Sequence, residues 1–194
     1  MAKPEDVTVD LLSSAMFDRS RHSRRAAALT LNMIDSERAD FLAPFILDDP
    51  DPRVRITAAQ GPRVKKKAFA NRLAWSAVND ESEWVRAACS LALLSSDDAE
   101  VRKLAFSAVR DEGESVRLSA LRAMTSSPRA EYRQSLRAAV VDRSAAVRAA
   151  ALRAFAAQPG GVVAEEVQNT FNDPSPLVRA ALTDLAAAKG IKLP

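Results

Sequence analysis

The sequence predicts an all-α chain built as a stack of helix pairs, on three observations. The chain of 194 residues holds only 5 glycines and 5% aromatics, while alanine, leucine and arginine recur throughout; these unbranched residues lose little freedom in a helix, where glycine loses much. The dipeptide Val-Arg returns at Val54-Arg55, Val85-Arg86, Val116-Arg117, Val147-Arg148 and Val178-Arg179, at an unvarying spacing of 31 residues. An aspartate stands six residues before each of those arginines, at Asp49, Asp80, Asp111, Asp142 and Asp173.

Composition bounds the rest. With 47% hydrophobic and 27% charged residues the chain has enough apolar material for a core, and a single repeat domain over residues 1–194 is expected. No stretch approaches the ~20 apolar residues of a membrane span. The opening "MAKPEDVTVDLL" carries acids where a signal peptide would be basic, so no membrane association and a cytoplasmic location are expected. Cys89 is alone, which excludes an intrachain disulfide and a cysteine cluster for zinc and predicts an inert buried thiol. The net charge of +3, from 28 basic and 25 acidic residues, does not by itself imply nucleic acid.

The first helix pair is expected at Asp6–Phe17 and Ser23–Ile34. Between its members, "RSRHSRR" puts Arg19 where the aspartate is expected and loses the cap pattern, as a terminal repeat can. His22 is the only histidine, too little for a histidine metal site or a Ser-His-Asp triad. From the second repeat on, Asp51, Ser82, Gly113, Ser144 and Ser175 are N-cap types, followed by Pro52, Glu83, Glu114, Ala145 and Pro176, which suit a first helical position. Each Val-Arg therefore closes a first turn. Small and apolar residues follow at helical spacing, as in Val85, Ala88, Cys89 and Ala92, or Val147, Ala150, Ala151, Ala154 and Phe155. Intervening helices are expected at Ala99–Val109 and Ala130–Val140, set off by "SSDD", "SSPR" and "QPGG". The last pair is expected at residues 162–171 and Pro176–Ala188, with Gly190 as its C-cap. In the second repeat, Gly61-Pro62 falls in mid-helix, so that helix should stop about two turns early. Arg63, Lys65, Lys66 and Lys67 then form a basic loop, either an edge for phosphate or an acidic partner or a solvated turn that caps helix carbonyls.

An apolar first helix, a turn carrying aspartate and a second helix opening with Val-Arg resemble the HEAT and HEAT-like repeats, over roughly residues 6 to 188. The period is shorter than the ~40 to 47 residues usual for HEAT units, and the ankyrin and tetratricopeptide signatures are missing. The units are most similar to those of bilin-lyase-type proteins and designed helical repeat scaffolds; a lyase role would follow from fold analogy alone. The resemblance implies a right-handed α-α superhelical solenoid of about six HEAT-like helix pairs. It also implies that Asp49/Arg55, Asp80/Arg86, Asp111/Arg117, Asp142/Arg148 and Asp173/Arg179 belong to a hydrogen-bonded ladder, and that the second helices line a concave groove.

On a helical wheel the face opposite the expected core of the second helices carries Arg53, Ile56 and Gln60, then Trp84, Ala87 and Leu91, then Ser115, Leu118 and Arg122, then Ala146, Ala149 and Arg153. The apolar centre Trp84, Leu91 and Leu118, flanked by Arg53, Arg122 and Arg153, suits a protein or peptide with apolar anchors and acidic flanks. Alternatively, Trp84 packs on Trp75 or Met124. There is no glycine-rich phosphate loop, cysteine or histidine ligand set, or nucleophile elbow, so a non-enzymatic scaffold without cofactor or metal is expected. The other reading is nucleic-acid binding. "WSAVNDESEWVRAA" resembles helix turns of HEAT-like alkylpurine DNA glycosylases, which would make Trp75 and Trp84 the aromatics, Asp80 the acid and Arg86 a backbone contact.

Overall fold

In a computed structural model, residues 4–162 and 164–192 are described. Six second helices carry the repeat: α2 (Arg21–Met33), α4 (Pro52–Thr57), α6 (Glu83–Leu94), α8 (Glu114–Ser126), α10 (Ala145–Ala157) and α11 (Pro176–Lys189). Among the described residues the secondary structure is helical throughout, and the fold is an α-α solenoid of helix pairs.

The first members of the pairs are less regular than expected. α1 (Pro4–Ala15) and α5 (Lys67–Asn79) are full helices, but α3 (Glu37–Leu42) tightens into a 3₁₀ turn, Ala43–Asp48. The segment expected as one helix at Ala99–Val109 is α7 (Ala99–Lys103) followed by a 3₁₀ turn at Phe106–Arg110. That expected at Ala130–Val140 is a 3₁₀ turn, Ala130–Tyr132, running into α9 (Arg133–Ala139). Of the segment expected at residues 162–171, residue 163 lies outside the described residues; the rest forms only two 3₁₀ turns, Ala164–Glu166 and Gln168–Thr170. A 31-residue period with a second helix of 12 to 14 residues leaves little chain for a first helix and two connections, and short helices tighten readily into 3₁₀ turns.

The chain divides into two compact units, Met1–Ala105 and Phe106–Pro194. In the first, Leu31, Ile46, Leu73, Leu93 and Leu94 are fully buried between α2, α4, α5 and α6. In the second, Leu121, Met124, Leu136, Leu152, Phe155 and Leu185 fill the space between α8, α9, α10 and α11. Tyr132 is buried with them and meets Phe106 edge to face at 5.7 Å.

The ladder holds each unit together. In the first, Arg24 grips Asp49 through Nε and Nη2 at 2.7 and 3.0 Å, and Arg55 grips Asp80 at 2.8 and 2.9 Å. In the second, Arg148 grips Asp173 at 2.7 and 2.9 Å, and Arg117 donates Nη2 to Asp142 at 3.0 Å. The remaining amino group, Nη1, turns back to the carbonyl six residues earlier, as Arg55 does to Asp49 at 2.9 Å and Arg148 to Asp142 at 2.8 Å. Each aspartate in turn accepts the N–H two residues on, which is the N-cap residue: Asp51 to Asp49, Ser82 to Asp80, Ser144 to Asp142, Ser175 to Asp173. The expected N-caps are all in place, but at Ser82, Ser144 and Ser175 no side chain caps the helix; the ladder aspartate fixes the turn instead.

Two expectations are corrected. The first repeat keeps the ladder: Asp18, not Arg19, occupies the aspartate position, Ser20 is the N-cap, and Arg24 rather than Arg25 is the ladder arginine. Ser23 stands where later repeats have valine, which hides the register. The buried arc of the second helices is also wider than a single stripe, because a stacked helix is covered by neighbours on two sides; Ala87 and Ala149, expected on the open face, are 6% and 0% exposed.

α4 does stop early, at Thr57, and Gly61 follows at φ 126°, a backbone region closed to most side chains. Gly190 ends α11 in the left-handed conformation at φ 68°, as expected of a C-cap.

Candidate functional site

The open row of the second helices begins one repeat earlier than the sequence suggested. With Arg24 as ladder arginine, the row on α2 is His22, Arg25 and Leu29, equivalent by the 31-residue period to Arg53, Ile56 and Gln60 on α4 and to Trp84, Ala87 and Leu91 on α6. α2 packs on α4 and α4 on α6, so these rows are neighbours within the first unit. Trp84 is 64% exposed and Trp75, on α5, is 55% exposed, so neither closes a gap in the core. Leu29 and Leu91 are partly exposed, Ile56 is half-buried and Arg53 is exposed.

Beside the apolar residues lies a small basic cleft of about 50 Å³ lined by Arg21, His22, Arg25, Asp51 and Arg53. Its one carboxylate is largely committed: Asp51 Oδ1 accepts the Arg53 N–H at 2.8 Å, and Oδ2 lies 3.7 Å from Arg21. Neither α2 nor α4 has an acidic residue in its first turn, whereas α6 and α8 open with Glu83 and Glu114. Arginines at the positive end of a helix are electrostatically unfavourable, so the cluster adds to a positive field that an acidic group would relieve. Arg21, His22 and Arg25 lie in the stretch "RSRHSRR", where taking Arg25 for the ladder arginine hides their place beside the open row.

The other groove residues, Leu118, Arg122 and Arg153, belong to the second unit. Leu118 is half-buried on α8, and Arg122 on α8 and Arg153 on α10 are exposed.

The basic loop is mostly turned inward. Arg63, expected in a solvated loop, is 3% exposed; it donates Nη2 to the carbonyls of Leu31 and Ile34 at 2.9 and 2.5 Å, and Nη1 to Asp40. Lys66 bonds Asp35 at 2.8 Å and Asp40 at 2.6 Å. The bond to Asp35, with that to Asp40 behind it, raises the Lys66 ammonium above its ordinary value, and the same Lys66–Asp35 bond lowers the Asp35 carboxyl. Asn32 completes the patch, donating Nδ2 to Thr57 and Gln60 carbonyls at 2.6 and 2.9 Å, which the shortened α4 leaves open. Only Lys65 and Lys67 of the four loop cations project into solvent.

The residues named by likeness to DNA glycosylases are also structurally engaged. Both Asp80 oxygens are held by Arg55, whose guanidinium is in turn held charged chiefly by that bond, and Arg86 is buried with Nη1 on the Asp80 carbonyl at 2.9 Å. Cys89 is fully buried, and burial pushes its thiol up to about 12, far from the range of a reactive cysteine. Among the described residues no group of three or more His, Cys, Asp or Glu is placed to hold a metal, and no helix is long and apolar enough to cross a membrane. One feature had no signal in the sequence. A cleft of about 320 Å³ in the first unit has an apolar side that includes Phe17, Phe45 and Ile46 and a polar side that includes the ladder groups Asp18, Arg24 and Asp49, residues from separate segments that only folding brings together.

Residues 2–61 match the family model for HEAT repeats. No curated protein sequence matches the chain significantly. Among solved structures, the chain is similar to two engineered proteins. One is 15% identical with a TM-score of 0.55, the match covering 93% of this chain and 97% of that one. The other is 15% identical with a TM-score of 0.52, covering 95% and 98%. At that identity the likeness concerns the fold.

Proposed function

We propose that this chain, whose helix pairs are HEAT-like repeats, is a non-enzymatic scaffold that holds a protein segment against the open row of its second helices. The reading rests on one observation. In the first unit, exposed Trp84 and Leu91 on α6 stand one helix away from Arg53 on α4 and the cleft it shares with Arg21 and Arg25. A solvent-exposed tryptophan costs free energy in water and is the residue type most enriched among interface anchors, and arginine is next to it in that respect. The segment that fits has an apolar side chain for the tryptophan and leucine and carboxylates for the arginines. Leu118, Arg122 and Arg153 occupy related positions in the second unit and would engage the same kind of segment.

The test is affinity capture from the cell of origin, with and without nuclease, using the wild-type chain and a Trp84→Ala/Arg53→Ala variant shown to be folded by circular dichroism. A protein retained after nuclease and lost with the variant supports the reading. Capture that the folded variant keeps unchanged overturns it, and recovery that vanishes with nuclease moves the function to nucleic acid, for which Arg21, Arg25, Arg53, Lys65 and Lys67 are among the exposed cations. In that case binding should fall steeply with salt.

A further inference from the structure

Most arginines of the first unit are committed within the protein. Arg24, Arg55, Arg63 and Arg72 each hold a carboxylate, and Arg86 is buried on the Asp80 carbonyl. Arg21, Arg25 and Arg53 are not. Among the described residues the Arg25 and Arg53 side chains meet no carboxylate or carbonyl, and Arg21 reaches Asp51 only at 3.7 Å. All three are exposed, and with the His22 ring they line the cleft of about 50 Å³ between α2 and α4. The repeat itself does not call for such a cluster: the positions equivalent to Arg21 hold Pro52, Glu83 and Glu114, and those equivalent to Arg25 hold Ile56, Ala87 and Leu118. The row onto which the cleft opens stays exposed where a repeat packs in front of it, as Arg53 on α4 and Trp84 on α6 show.

We infer that this cleft takes the phosphate of a phosphorylated serine or threonine in the bound protein segment, an inference that rests on the scaffold reading and adds how its partner is chosen. Charge decides for phosphate over carboxylate. Three guanidiniums against the single Asp51 carboxylate leave two positive charges with His22 neutral. A carboxylate cancels one of them, whereas a phosphate monoester, at about −1.5 to −2 at pH 7, cancels nearly both. Shape agrees, because guanidinium forks arriving from two helices can donate to three oxygens of a tetrahedral group, and a planar carboxylate offers two.

A protein segment fits better than a nucleic-acid strand because the positive charge is local. Glu81 and Glu83 stand in the turn before α6 and in its first turn, so a run of phosphates passing from the cleft to Trp84 would meet carboxylates. The row offers a place for one dianion and, beside it, apolar surface: partly exposed Leu29 on α2, half-buried Ile56 on α4, and exposed Trp84 and Leu91 on α6. A phosphorylated residue with apolar neighbours meets both, in the manner of other arginine clusters that read phosphorylated segments.

The experiment presents the 194-residue chain with an array of synthetic peptides that carry a central phosphoserine between randomised apolar and acidic positions, beside the same array with serine or glutamate at the centre. The best peptides are then titrated by fluorescence polarisation against wild type and against Arg25→Ala, Arg25→Lys and Trp84→Ala variants shown to be folded by circular dichroism. Phosphoserine peptides should bind about tenfold or more tighter than their serine and glutamate counterparts, the worth of at least one charge-assisted hydrogen bond. Arg25→Ala should remove that preference and Arg25→Lys should restore only part of it, since lysine keeps the charge and lacks the fork. Trp84→Ala should weaken phosphorylated and unphosphorylated peptides alike. An array on which no phosphopeptide binds, or a preference that survives Arg25→Ala, would overturn the inference, as would phenyl phosphate or a single-stranded oligonucleotide binding as tightly as the best phosphopeptide. Equal binding of phosphorylated and unphosphorylated peptides that still needs Trp84 would end the phosphate inference and leave the scaffold reading standing.

Discussion

The two units carry one repeat in different states of regularity. In the second, α8, α10 and α11 run 13 to 14 residues from cap to cap, their cores are largely alanine and leucine, and among the described residues the large apolar ones left exposed are Val141 and Leu177. In the first, α4 is cut to 6 residues, and Phe17, Met33, Phe41, Phe45, Trp75 and Trp84 are among the large residues facing solvent. Where the chain departs from its own consensus it does two separate things. At Gly61-Pro62 it repairs itself, using Asn32, Arg63 and Lys66 to satisfy open carbonyls and neighbouring carboxylates. At Trp84 it adds apolar surface that no structural need explains. A break in a repeat is therefore not in itself a site; what separates the cases is whether the unusual side chains are already bonded within the protein.

The sharpest way to break this contrast is Arg63→Ala. It removes the donor that the Leu31 and Ile34 carbonyls share and one of the two cations on Asp40, and should cost the first unit about 3 kcal/mol. Amide exchange should show the loss in α2 and α4 with α8 to α11 unaffected; a global, even loss would mean the units are not separable. Ala149→Leu probes the tight packing of the second unit and should cost about 2 kcal/mol by overpacking, read from urea unfolding. Asp173→Ala removes a ladder partner and should cost about 1 to 2 kcal/mol, with protection lost first in α10 and α11.

Acid gives the same result by titration. The Arg148 hydrogen bond is the chief cause that holds the Asp173 carboxyl below its ordinary value. A carboxylate with a depressed folded value contributes stability that is whole above its unfolded value, about 4, and is lost as pH falls through the lower folded one. Protection of α11 should therefore drop on acidification below about pH 4, and Asp173→Asn should flatten that dependence. The smallest effect belongs to Trp84→Ala, which should change stability by less than about 0.5 kcal/mol in either direction while removing partner capture. A larger loss would make Trp84 a packing residue after all.

The ladder, the caps and the early stop of α4 were legible because each depends on a residue type recurring at a fixed interval or on a backbone constraint of glycine or proline. The start of the ladder was not, since Ser23 replaces the marker valine and two arginines stand side by side, so that Arg25 could be taken for Arg24. Nor could the sequence show that Ala87 and Ala149 lie inside, because alanine is tolerated on either face of a helix. Arg63 was unreadable for a different reason: a loop cation gives no sign of which distant carbonyls and carboxylates will surround it. The broken first helices carry apolar spacing that suits an α-helix or a run of 3₁₀ turns equally well.

The double bonding of each ladder arginine also bears on how the chain is made. Its backward bond spans six residues and its forward bond 25, so a nascent helix can set its own turn as it leaves the ribosome and needs only one further repeat to lock in place. Joints that close over such short distances along the chain give a low contact order and favour fast folding. Synthesis at about 5 to 20 residues per second delivers each new repeat within a few seconds, so folding can follow translation from the N-terminal repeat onward, leaving little apolar surface waiting for a distant partner.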